Sequence, residues 1–284
     1  MPNFPIIDSH VHLWNPNHLR YSWIDDIQIL NQTYQLEELD QLSHPVDIEQ
    51  IIFLEAGADE GQSQAEVEWV TELAKTDGRI TGIVAQASLE MGDAIRPELE
   101  KLAENQLVKG VRRILQGEED SAYCLRPEFI KGVQALPSFN FSFDICIYHH
   151  QLASVIQLVR QCPNVKFVLD HIGKPDIKNQ LFEPWKAEIT ELANQPNVWC
   201  KISGMVTEAD HKSWVPNDLK PYLDHVIRQF SFDRVMFGGD WPVARLATEY
   251  PRWVSVLDNV VAGCSNAEKQ KLFRENAISF YLEK

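Results

Sequence analysis

The stretch Ile6–Leu13, IIDSHVHL, decides how the rest of the chain is read. Its first residues are apolar and β-prone, and the period of two of a strand predicts Asp8, His10 and His12 on one face, with Ile7, Ser9 and Val11 on the other. Such a strand ends by presenting two imidazoles together. Two neutral imidazoles on one face suit a divalent metal, or a carbonyl oxygen that needs donors as it gains charge. Taken alone, the pair is equally compatible with histidines bonded to nearby backbone.

Outward from this stretch the sequence alternates apolar runs with helical patterns. Strands are predicted at 51–55, 80–87, 110–115, 141–148, 165–172, 198–203 and 234–238, and helices at 62–76, 93–104, 127–136, 152–160, 184–193, 218–230 and 253–261. A final helix over 267–282 has Ser265 as its expected N-cap. The polar and aromatic segment 14–33 is long for a simple turn, which is common for functional loops. With the first stretch this makes eight strands, nearly all apolar and separated by helices, as parallel crossovers require. The expected fold is α/β: a distorted (β/α)8 TIM-like barrel, taken as one domain over 1–284. An open doubly wound sheet is the alternative, but no Gly-rich phosphate loop follows the first strand.

Composition narrows the function. Lys and Arg number 26 against 41 Asp and Glu, a formal charge of −15, and there is no basic run; nucleic acid and anionic membranes are not expected partners. The five cysteines (Cys124, Cys146, Cys162, Cys200, Cys264) are scattered without a CxxC, so neither a disulfide frame nor a cysteine-rich zinc site is expected. A cytoplasmic protein with a small-molecule substrate is the expectation, with neither export signal nor membrane span. Oligomeric state is not legible.

In a barrel the active site lies at the C-terminal ends of the strands. Those ends carry His10 and His12, Glu55, Arg112 and Arg113, His149 and His150, Asp170 and His171, Lys201 and Ser203, and Asp240. An isolated charge at a strand end often does no more than bond a loop or a surface partner. Asp240 differs. In Phe237-Gly238-Gly239-Asp240-Trp241-Pro242 the glycines allow close backbone approach, so the carboxylate can sit in a tight pocket facing the histidines. Parity does not decide between His149 and His150.

His10-Val11-His12, Asp170-His171-Ile172-Gly173-Lys174-Pro175 and Gly239-Asp240-Trp241-Pro242 together resemble the amidohydrolase superfamily, in the branch holding sugar lactonases and pyrone dicarboxylate lactonases. Cys200-Lys201-Ile202-Ser203-Gly204, Thr207 to His211 and Pro221 to His225 look most like its L-fuconolactonase and L-rhamnonolactonase group. The resemblance implies cleavage of a cyclic ester, with Asp240 as the strand-8 carboxylate. Arg112 and Arg113 stand where the superfamily has a bridging lysine or glutamate, which implies at most one divalent ion, of the Zn²⁺ kind, on His10, His12, His171 and Asp240. Some members of the branch work without metal, and Gly239 stands where relatives often have serine.

Ester cleavage by water needs a base, oxyanion stabilisation and an acid for the leaving alkoxide. Asp240 would serve as base and then acid, and His10, His12 and His171 would hold the carbonyl oxygen, directly or through the metal. Trp14, Trp23, Trp214 and Trp241 are candidates to stack on a sugar ring, and Glu208, Asp210, His211, Lys201, Arg112 and His149 to bond its oxygens. Zinc-dependent decarboxylation of an aromatic or vinylogous acid, or hydrolysis of a pyrone dicarboxylate, is the alternative, with Arg112 and Arg113 on the carboxylate.

Overall fold

A computed structural model describes residues 1–283. Eight parallel strands follow one another in chain order around the sheet: β1 (Ile6–Val11), β2 (Ile48–Leu54), β3 (Ile80–Gln86), β4 (Val108–Arg112), β5 (Ser142–Ile145), β6 (Phe167–Leu169), β7 (Val198–Ile202) and β8 (Val235–Phe237). Outside them run α1 (Leu36–Ser43), α2 (Ser63–Thr76), α3 (Arg96–Ala103), α4 (Pro127–Ala135), α5 (Leu152–Gln161), α6 (Trp185–Ala193), α7 (Pro216–Phe230), α8 (Tyr250–Val260) and α9 (Asn266–Gln270). This is the expected (β/α)8 barrel, and its β1–β4 pairings carry register shifts. The seam between β1 and β8 closes one step beyond β8. There Asp240 N donates to His10 O (2.9 Å) and His12 N to Trp241 O (2.7 Å).

The barrel interior is layered. Ile7, Ile52, Leu54, Val84, Val168 and Met236 form an apolar cluster with Phe280 and Tyr281 of the C-terminal segment. Above it stand charges: Lys201 Nζ lies 2.6 Å from Asp144 Oδ2 and 3.1 Å from Asp170 Oδ1, and Arg112 bridges Glu55 (2.6 Å) and Asp170 (3.2 Å). The Tyr281 hydroxyl donates to Asp144. Branched aliphatic layers usually fill such barrels; here the upper layer is ionic and each charge has an opposite neighbour, the arrangement that makes burial of charge tolerable.

Several boundaries depart from the sequence reading. β5 and β6 are shorter than expected: after Ile145 the chain leaves the ladder for an irregular stretch over 146–148, and after Leu169 it turns at once through Asp170–Gly173. α1 was not foreseen: its eight residues bury Leu36, Leu39 and Ser43 only. Ser265 does cap the last helix, its side chain accepting from Glu268 N, but after Gln270 the helix widens into π-helical turns at Lys271–Glu275 and Ile278–Leu282. The segment 14–33 packs down rather than hanging free. Trp14 pairs with Tyr34 in a β-bridge and its indole donates to Leu30 O and Gln32 O.

Candidate active site

The face assignment on β1 needs correction at Asp8. The ladder to β2 is irregular between Asp8 and Val11, so the period of two breaks there. Asp8 turns away to accept from His10 N, Gly239 N and the Tyr250 hydroxyl at 2.8–2.9 Å. Burial raises its carboxyl to about 7. His10 and His12 stay together, their Nε2 atoms 3.2 Å apart.

Asp240 Oδ1 lies 3.7 Å from His10 Nε2, 3.6 Å from His12 Nε2 and 3.9 Å from His171 Nε2. His12 Nδ1 is 3.0 Å from Leu54 O, a group that only accepts, so Nδ1 carries a proton and Nε2 is the nitrogen turned to the site. His10 Nδ1 lies 3.3 Å from Asp170 Oδ1 with no hydrogen bond formed between them. Burial holds the His10 and His171 imidazoles well below the ordinary histidine range, so both are neutral near pH 7. Burial alone would raise the Asp240 carboxyl, but His171, His12 and Lys174 outweigh it and hold it below the usual range.

Imidazole nitrogens and a carboxylate converging in this way are a donor set suited to a cation. With metal–ligand distances of about 2.0–2.1 Å, ligand atoms on a tetrahedron lie about 3.3–3.4 Å apart. The 3.2–3.7 Å separations among His10, His12 and Asp240 fit such a set around one divalent ion, and His171 Nε2 approaches it from the Asp240 side at 3.9 Å. A second grouping, His10, Asp170 and His171, shares only His10 with the first, and Lys201 and Arg112 already engage Asp170.

Local backbone makes this convergence possible. His171 (φ 54°) and Asp240 (φ 52°) both adopt left-handed conformations, sparsely populated by L-residues and typical of functional sites. Gly204 (φ 57°) lies beneath them; a Cβ there would stand 2.4 Å from His171 Nδ1 and 2.9 Å from Asp240 Oδ2. The His171 Nδ1 contact is with Ser203 Oγ, at 2.8 Å.

The site opens into a cavity of about 310 Å³ whose lining includes His12, His171, Asp240, Trp23, Arg112 and Lys174. Trp23 is 39% exposed and anchored by its indole on Ala56 O. Other expected ligands lie elsewhere. Lys201 is fully buried between Asp144 and Asp170, so it does not reach a substrate. Trp14 and Trp241 are buried under the loops, and Trp214 donates to Ala247 O. Asp210 caps Lys212 N and Ser213 N, while His211 is exposed and bonds Thr207 O. Neither His149 nor His150 lines the cavity; the two rings pack on each other. Arg112 reaches the cavity with its charge already matched, and Arg113 points away to Glu90 and Glu118.

Sequence reasoning overlooked Lys174, Gln116 and Cys146 among the lining residues. Gln116 and Cys146 are uncharged; Gln116 lies four residues beyond β4, and Cys146, directly after β5, fell inside the strand expected over 141–148. Lys174 was visible three residues after His171, but the strand expected over 165–172 sends positions three apart to opposite faces, whereas residues 171–174 turn left-handed.

A parallel barrel that gathers histidines and a carboxylate at the C-terminal ends of its strands has its polar site where enzymes of this architecture place theirs. The amidohydrolase family model matches residues 7–282, and the chain belongs to that family. It is 32% identical to an L-fucono-1,5-lactonase of Burkholderia multivorans, over 97% of this chain and 95% of that protein. An L-rhamnono-gamma-lactonase of Scheffersomyces stipitis is 22% identical over 99% of both chains. A solved structure of a Burkholderia multivorans amidohydrolase with bound zinc superimposes with a TM-score of 0.89 at 30% identity, covering 99% of this chain and 100% of that one.

Proposed function

We propose that this enzyme hydrolyses a sugar lactone of the L-fucono or L-rhamnono kind to its aldonic acid, in carbohydrate metabolism of the cytoplasm. The observation that carries the reading is the convergence of His10, His12 and His171 on Asp240 at the floor of a cavity sized for one small ring. Pockets for small molecules run from about 300 to 1,000 Å³, which places this cavity at the small end. Asp240 accepts a proton from the attacking water and returns it to the ring oxygen as the C–O bond breaks. The three imidazoles turn their Nε2 atoms to the Asp240 carboxylate, and Trp23 covers an apolar ring face. His10, His12, His171 and Asp240 would hold a single divalent ion, Zn²⁺ by the chemistry of the donor set, which supplies Lewis acidity for the carbonyl.

The alternatives, a pyrone dicarboxylate or a decarboxylated aromatic acid, relied on two guanidinium groups to bind carboxylate. Arg112 is matched by Glu55 and Asp170, and Arg113 faces outward, so that support falls away. The test measures kcat/KM for L-fuconolactone, L-rhamnonolactone, D-gluconolactone and a pyrone dicarboxylate at one pH, with metal content by elemental analysis and Asp240→Asn as the background. A sugar lactone should lead the series. A leading pyrone, or carbon dioxide release with no lactone hydrolysed, refutes the reading; two equivalents of metal refute the single site.

A further inference from the structure

His171, Ile172, Gly173 and Lys174 have φ values of 54°, 51°, 74° and 45°, a run of left-handed backbone directly after β6. L-residues disfavour this conformation, and here it brings two side chains three positions apart into one cavity. The Lys174 side chain is only 13% exposed. Burial opposes its charge, but Cys146, Glu208 and Asp240 outweigh that and keep the ammonium protonated.

An ammonium has three donors. Among the described residues Nζ makes one hydrogen bond, to Gln116 Oε1 at 2.6 Å, while the Tyr148 ring centroid lies 5.4 Å away. Its carboxylate neighbour, Glu208 Oε1, stands 3.9 Å off. That gap is too long for a direct hydrogen bond and wide enough for one oxygen bonded to both groups. An oxygen bridging an ammonium and a carboxylate must accept from one and donate to the other. A hydroxyl does so; a carbonyl or a carboxylate does not.

We propose that Lys174 and Gln116, which line this cavity, form with Glu208 just behind Thr207 of the lining a hydroxyl-binding subsite that selects a polyhydroxylated substrate. The proposal rests on the lactonase reading for the bond cleaved at Asp240. Lys174 is a specificity residue, matched to a neutral polyol by the carboxylate beside it, and the same carboxylate disfavours a dianion.

The experiment compares the kcat/KM ratio of an aldono-1,5-lactone to unsubstituted δ-valerolactone in the wild type and in Lys174→Met, Lys174→Gly and Glu208→Gln. A hydrogen bond to a charged group carries about 10- to 100-fold, and the ratio should fall by that much in both Lys174 variants. Glycine accepts the left-handed backbone, so Lys174→Gly removes the ammonium without straining the turn, and melting curves exclude a folding failure. A ratio within about threefold of wild type in a folded Lys174→Gly overturns the proposal. If the wild type cleaves neither lactone, the lactonase reading fails separately. Quenching of tryptophan fluorescence by the aldonate then tests the subsite alone: binding weakened at least about tenfold in Lys174→Gly upholds it. Equal binding, or none to the wild type, overturns it.

Discussion

At the scale of single residues, the site depends on positions where a side chain must be absent. Gly204 allows His171 and Asp240 to approach over its backbone, and its own φ of 57° disfavours any L-residue. Gly204→Ala should lower stability by about 1–2 kcal/mol through the backbone alone. The added methyl also displaces the imidazole or the carboxylate. Misplacing a reacting group by about 1 Å can cost about 100-fold in rate, so kcat should fall by that order while the protein still folds. Steady-state kinetics beside urea denaturation checks both; an active, stable Gly204→Ala would show that the ring and carboxylate have room to move. Such glycines are legible as glycines in the sequence, but what they make room for is not. His10, His12, His171 and Asp240 could be read from strand ends. Lys201 was read as a ligand because its charge was visible, while Asp144 and Asp170, which neutralise it, come from two other strands.

At the scale of elements, α2 meets the end of β2 through a buried acid. Glu66, in the first turn of α2, takes the Ala56 amide with both oxygens at 3.2 and 3.3 Å and is 1% exposed. Burial, with Glu55 nearby, pushes its carboxyl up to about 8. A folded-state value above the unfolded one means that folding holds a proton the unfolded chain releases. Its contribution to stability is therefore full below about pH 4.5 and is lost as pH rises through about 8. Relative to Glu66→Gln, the wild type should lose on the order of 3 kcal/mol between about pH 5 and about pH 9, read from urea midpoints. Parallel pH dependence in the two proteins would contradict it. The strand and helix order was legible because apolar runs and helical patterns alternate throughout. The ends of β5 and β6 were not, since the apolar residues that follow each short strand keep the composition of a longer one.

At the scale of the whole molecule, an ionic layer separates the apolar floor of the barrel from its mouth. Lys201→Met leaves Asp144 and Asp170 short of their shared cation, and breaking a buried pair costs about 3–5 kcal/mol. Denaturant midpoints measure this, and a loss below about 1 kcal/mol would show that the layer does not depend on Lys201. The seam carries a different consequence. The hydrogen bonds that close it involve His10, His12, Asp240 and Trp241, so assembling the site and shutting the ring are one event. A ribosome adding about 5–20 residues per second needs on the order of 10–50 s to reach β8, and for all that time β1 trails an unpaired edge and two exposed imidazoles. Nascent chains should therefore be chaperone clients until β8 emerges. Protease protection of β1 in stalled chains that end before Val235 would contradict that order.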